Sequence, residues 1–127
     1  MNVTRLADAP AYHPANHDGM ACLRLQGHEA GATDLLWLGL SHILPGGGTT
    51  LDAAPVEKFY VVLNGELTIR TETDEAVLTA WDSCRIAANE KRALVNRTNR
   101  PVTVLLAMPH RAAGGQTQEA NASSPPN

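Results

Sequence analysis

The pair Asn64-Gly65, set between two runs of alternating side chains, constrains this chain more than any other local feature. On one side lies Lys58-Phe59-Tyr60-Val61-Val62-Leu63, on the other Glu66-Leu67-Thr68-Ile69-Arg70. Asn-Gly is the preferred pair for a two-residue type I′ turn, because both central positions need positive φ. The expectation is a β-hairpin in which Leu63 faces Glu66, Val62 faces Leu67, Tyr60 faces Ile69 and Lys58 faces Thr71. Side chains alternate along a strand, so Lys58, Tyr60, Val62, Leu67 and Ile69 share one face. That face is apolar except for Lys58. It is therefore the inner wall of whatever the hairpin belongs to, and it carries an ammonium group inward.

The surrounding sequence has the same character. Short apolar runs broken by Gly, Asn, Asp and Pro fill residues 35 to 109, including Leu38-Gly39-Leu40-Ser41-His42-Ile43-Leu44, Ser83-Cys84-Arg85-Ile86 and Val102-Thr103-Val104-Leu105-Leu106-Ala107-Met108. Such spacing predicts an all-β sandwich or small barrel. Residues 1 to 34 alternate polar and short apolar runs around Pro10, Pro14, Gly19, Gly27 and Gly31, and read as an arm with one or two short strands. From Arg111 onward there is almost nothing to bury, which predicts a disordered tail. A chain of 127 residues is one domain by length and large enough to bury a real core.

The order of residues around the Asn-Gly pair contains a second pattern. Pro45-Gly46-Gly47-Gly48 precedes Asp52-Ala53-Ala54-Pro55-Val56-Glu57-Lys58, and six residues separate Lys58 from Gly65. Further on, Trp81-Asp82-Ser83 is followed by a segment ending in Arg92 and Asn96. This framework resembles the cupin superfamily, small single-domain proteins whose pattern is a Gly-rich turn, then H-x-H-x3-E-x6-G, and later P-x-G-x2-H-x3-N. The resemblance spans roughly residues 35 to 110 and implies a cupin barrel, the double-stranded β-helix or jelly-roll-like fold. Anchored on Gly65, Asp52 and Ala54 fall where the family has two His ligands and Lys58 where it has Glu. Anchored on Asn96, Arg92 falls on the third His position, with Ala87 and Asn89 in place of Pro and Gly. Trp81 stands where many members have Gly. The framework is kept and the metal ligands are replaced, so no metal and no other cofactor is expected.

A cavity headed by Lys58 and Arg92, with Asp52 as the one carboxylate, carries a positive excess where a divalent metal sits in the family. Arg supplies a rigid fork suited to carboxylates, and Lys a point charge able to stabilise an enolate or shuttle a proton. Lys58 and Asp52 are the candidate catalytic residues. Arg92, Tyr60 and His42 are the candidate ligand-binding residues. Burial and Arg92 lower the Lys58 pKa while Asp52 raises it, and the sequence leaves the balance open. The bland alternative is a buried ion pair filling a vestigial site.

The leading expectation is a metal-independent cupin binding a small anionic metabolite, a carboxylate, with isomerase- or lyase-type chemistry if it is an enzyme. A second reading rebuilds a metal site, for a dioxygenase or isomerase, from His42 and the arm histidines. A third is a non-catalytic binding or sensing module. Five histidines, His13, His17, His28, His42 and His110, keep the second open. His13 and His17 are four apart, but Pro14 between them argues against a helix. Gly46-Gly47-Gly48 is not followed by Gly-Lys-Ser/Thr and reads as a tight turn before a strand rather than a phosphate loop. Asn96 is expected to bond backbone in the loop it faces.

A net charge of -3 makes no electrostatic case for nucleic acid or an anionic membrane surface. No apolar run is long enough to span a membrane, and Met1-Asn2-Val3-Thr4-Arg5 lacks the apolar core of a signal peptide. A cytoplasmic protein with Cys22 and Cys84 as free thiols is expected. The outward residues Phe59, Val61 and Leu63 predict a homodimer contact.

Overall fold

The computed structural model describes residues 1–110, and the tail expected from Arg111 onward lies outside the described residues. Alternation of apolar side chains organises nine strands: β1 (Ala11–Tyr12), β2 (His17–Gln26), β3 (Leu36–Thr49), β4 (Lys58–Asn64), β5 (Leu67–Arg70), β6 (Glu75–Leu78), β7 (Ser83–Ile86), β8 (Ala93–Val95) and β9 (Val102–Pro109). Single 3₁₀ turns lie at Leu6–Asp8 and His28–Ala30.

Strand β3 runs through both halves of the barrel. Its first part pairs antiparallel with β9, from Leu36 opposite Pro109 to Ile43 opposite Val102. Its end pairs with β8, Gly48 opposite Val95. One sheet is therefore built on β2, β3, β9, β4 and β7, and the other on β3, β8, β5 and β6. The glycines of Pro45-Gly46-Gly47-Gly48 lie inside β3, where a tight turn before a strand is expected from the sequence. Gly47 and Gly48 are required by close approach, since a Cβ would come within 2.5 Å of the Gly19 carbonyl oxygen and 2.0 Å of that of Leu94, respectively.

The hairpin expected at Asn64-Gly65 does not form. β4 pairs with β7 and β9, so both of its edges are occupied, while β5 pairs with β6 and β8. The Asn-Gly pair instead carries the chain from one sheet to the other. Only Gly65 takes positive φ, +92°, where a type I′ turn needs it at both positions. Lys58 consequently lies opposite Ile86, not Thr71. The faces nevertheless fall as alternation dictates: Lys58, Tyr60, Val62, Leu67 and Ile69 are all buried, and Phe59 is exposed.

The inner faces close on one core that includes Ile43, Tyr60, Val62, Leu67, Leu94, Val102, Val104, Leu106 and Met108. The N-terminal segment, expected as an arm with short strands, supplies ten residues of barrel wall as β2, which pairs along β3 from His17–Thr49 to Gln26–Leu38. Aromatic and charged contacts hold it. The Arg24 guanidinium lies 3.6 Å from the Tyr12 ring centroid and 4.5 Å from that of Trp37, and its Nε donates to Glu29 at 2.8 Å. Asn96 is buried and ties three stretches together: its Nδ2 donates to the carbonyls of Ile43 and Arg100, and its Oδ1 accepts from the Thr98 N–H and hydroxyl. Among the described residues no helix is long and apolar enough to cross a membrane.

Candidate functional site: a basic cluster inside the barrel

Arg92 is delivered to the interior by a single β-bridge. Its backbone N–H donates to Asp52 O at 2.9 Å and its carbonyl accepts from Asp52 N–H at 3.0 Å. The side chain then runs into the barrel with 0 % of its surface exposed. Nε donates to the Tyr60 hydroxyl at 2.8 Å, and Nη1 to Thr49 Oγ1 at 3.3 Å. Nη2 is buried and has no hydrogen-bond partner among the described residues. A buried guanidinium hydrogen left unmatched is expensive, and an acceptor placed there would remove that cost.

Lys58, 1 % exposed, enters from β4 two residues before Tyr60 on the same face. Burial pushes its pKa down to about 7, the Arg92 charge adds to the fall, and Asp52 acts against it. Burial thus outweighs the carboxylate, a balance the sequence leaves open. An amine with that pKa can give or take a proton at neutral pH, while Arg92 stays charged. Tyr60 is buried against Arg92, and burial raises its phenol above the usual range, which keeps it a neutral donor. Cys84 lies opposite Tyr60 across β4 and β7, its thiol pushed up to about 11 by burial and by Glu90, and is therefore a neutral side chain rather than a thiolate.

Asp52 reaches the cluster by charge more than by a bidentate pairing with Arg92. Its Oδ2 accepts from the Thr50 hydroxyl and from Asn16 Nδ2 at 3.3 Å. Through Asn16 it draws in the N-terminal segment, and with it His17, one of the arm histidines that the sequence offers only as a metal ligand. His17 is lowered in pKa by burial and by the charges of Arg92 and Lys58, with Asp52 and a backbone hydrogen bond opposing. It stands across from Thr49, the residue that holds Arg92 Nη1. The alternation Met20, Cys22, Arg24 was a readable sign that this segment has an inner face. The register shift between Asp18 and Met20, where two residues of β2 span five of β3, was not readable.

His42 is placed elsewhere. It alternates with Ser41 and Ile43, both buried, and so points to the opposite face of β3, where its Nδ1 lies 3.2 Å from Thr103 Oγ1. The barrel wall separates His42 from His17. His28 lies apart again, its ring against Trp37, and His110 packs against His28. Among the described residues no three His, Cys, Asp or Glu side chains converge to hold a metal ion. The positions that carry ligands in the resembled pattern hold Asp52, Ala54, Lys58 and Arg92. One carboxylate beside a buried guanidinium and an amine that is charged below about pH 7 is a poor match for a divalent cation.

Comparison with known proteins follows from this geometry. Residues 39–108 match the family model Cupin_2, Cupin domain. A curated relative, Beta-D-galactosidase Rv1717 of Mycobacterium tuberculosis, is 42% identical over 115 residues, covering 89% of this chain and 97% of that protein. Two solved structures share the fold. The polyketide cyclase RemF from Streptomyces resistomycificus superposes with a TM-score of 0.75 at 18% identity, over 86% of this chain and 79% of its own. A cupin-superfamily sugar phosphate isomerase from Silicibacter pomeroyi gives 0.71 at 24%, over 84% and 74%.

Proposed function

Because this chain belongs to the Cupin domain family, we propose that its barrel binds a small anionic metabolite by a carboxylate, without a metal, in the cavity headed by Arg92 and Lys58. One observation carries the reading: the wholly buried Arg92 keeps an Nη2 with no protein acceptor, beside an amine whose pKa is about 7. A carboxylate answers the guanidinium, and Lys58 then moves a proton at the carbon next to a carbonyl, with Asp52 holding part of its charge. Isomerase- or lyase-type chemistry suits these groups. Among the described residues Cys22 and Cys84 form no disulfide, which suits a reducing compartment such as the cytosol.

Two measurements test the proposal. Elemental analysis of the purified protein, before and after incubation with iron, manganese, nickel and zinc, is expected to find no stoichiometric metal; a stoichiometric one overturns metal independence. Calorimetry against a carboxylate panel is expected to find a ligand whose binding falls about 100-fold in Arg92→Met and persists in Lys58→Met. Turnover lost in Lys58→Met with binding kept identifies an enzyme. Turnover unchanged removes Lys58 from the chemistry, and binding without any turnover identifies a sensing module.

A second reading is favoured by the curated relative, which is named for action on a β-D-galactoside. Glycoside hydrolysis commonly uses two carboxyl groups flanking the bond. Asp52 is the carboxylate whose charge acts on both Lys58 and His17. Turnover of a chromogenic β-D-galactopyranoside that is abolished in Asp52→Asn would establish this reading in place of the first.

A further inference from the structure

Two buried polar atoms of opposite character belong to residues that both neighbour Thr49 on the inner wall. Arg92 Nη2 is a donor, His17 Nε2 is an acceptor, and neither has a hydrogen-bond partner among the described residues. Their proximity follows from the strand ladder. His17 is the cross-strand partner of Thr49, and Thr49 Oγ1 accepts from Arg92 Nη1 at 3.3 Å. Side chains of directly paired residues start about 5 Å apart at their Cβ atoms. The imidazole thus stands beside the guanidinium.

The character of Nε2 is decided by the other ring nitrogen. His17 Nδ1 lies 2.7 Å from the Ala15 carbonyl oxygen, which can only accept. The proton of the neutral ring therefore sits on Nδ1 and the lone pair on Nε2. Burial, Arg92 and Lys58 all favour the neutral ring, against Asp52 and the Ala15 contact. Asn16, at φ +61°, fixes the loop from both sides: its carbonyl accepts from Thr50 N–H at 3.2 Å and its Nδ2 reaches Asp52. The imidazole is held by the loop, not free to turn away.

A simple carboxylate satisfies Arg92 and leaves His17 Nε2 facing a second acceptor, which costs free energy. A hydroxyl beside the carboxylate resolves both at once, its O–H donating to Nε2 while a carboxylate oxygen accepts from Nη2. We infer that the cavity selects a hydroxy acid, a carboxylate with a neighbouring hydroxyl, and that His17 is the residue that reads the hydroxyl. Sugar acids are the polyhydroxylated members of that class. The inference rests on the carboxylate reading above and adds its acceptor side.

The test is calorimetric titration of the full chain at pH 7.5 with three matched pairs: lactate and propionate, malate and succinate, galactonate and 2-deoxygalactonate. The hydroxy member of at least one pair is expected to bind about tenfold tighter, with the ratio falling to near one in His17→Leu. Because that variant can fail to fold, ring-nitrogen NMR of the wild-type protein supplies a second reading: the His17 Nε2 resonance moves with the hydroxy acid and not with its deoxy partner. Equal binding within every pair overturns this inference and leaves the carboxylate site standing. A hydroxyl preference that survives His17→Leu, or an unmoved Nε2 resonance, overturns it as well. Failure of every acid to bind, or binding indifferent to Arg92→Met, removes the carboxylate reading and this inference with it.

Discussion

Lys58 shows how one residue sets both the chemistry and a cost in stability. Taking an ammonium out of water costs several kcal/mol even after relaxation, and Arg92 beside it adds repulsion. The fold answers by lowering the pKa from 10.5 to about 7. Below pH 7 the folded chain carries the buried charge and bears its full cost. Between about 7 and 10.5 the unfolded chain binds the proton more strongly than the folded one, so stability rises with pH across that window. Lys58→Met is expected to raise stability at pH 6 by about 1–4 kcal/mol and to flatten the rise between pH 7 and 10.5. Urea titrations of both proteins at pH 6, 8 and 10 check it, and parallel pH dependences would contradict it. At this scale the site was partly legible. Lys58 on an inner face follows from alternation, and Arg92 and Asp52 follow from the spacing to Asn96 and Gly65. His42 was misplaced because a lone strand without a fixed register leaves its inward face undecided.

Among the strands, the informative element is the link between β4 and β5. Local propensity favours a hairpin at Asn64-Gly65, yet both edges of β4 are taken by β7 and β9, and pairing with distant strands overrides the turn. The face assignment survived this error because alternation belongs to each strand and does not depend on its neighbour. Gly65 remains essential for a different reason than turn type. At φ +92° an added Cβ would sit 2.8 Å from the Pro101 carbonyl oxygen. Gly65→Ala is expected to cost about 1–3 kcal/mol, read as a lower urea midpoint with an unchanged slope. An unchanged midpoint would mean that the crossing relaxes freely.

The whole molecule brings a further surface into play. Phe59 on the outer face of β4 is 45% exposed, and Trp81, 76% exposed, sits at φ +71° in the turn whose N–H bonds Val62. Exposed aromatic surface is costly in a lone subunit, and a second copy covering the outer face of β4 would take the Phe59 ring out of water. We propose a homodimer through the outer face of β4. Size-exclusion chromatography with light scattering at micromolar concentration is expected to give a dimer, and Phe59→Glu a monomer; a monomeric wild-type protein contradicts the proposal.

The sequence by itself determined the all-β barrel and the inner and outer faces of its strands, Lys58 among the inner ones. Each of these depends on period, spacing and residue chemistry, which are local. Tertiary structure alone decided which strands pair, that His17–Gln26 form barrel wall, and that His17 stands across from Thr49 while His42 points to the opposite face of β3. Pairing depends on which edges remain open once the chain has closed on itself, and facing across a register shift depends on how many residues the partner strand inserts, so neither is written in any short stretch.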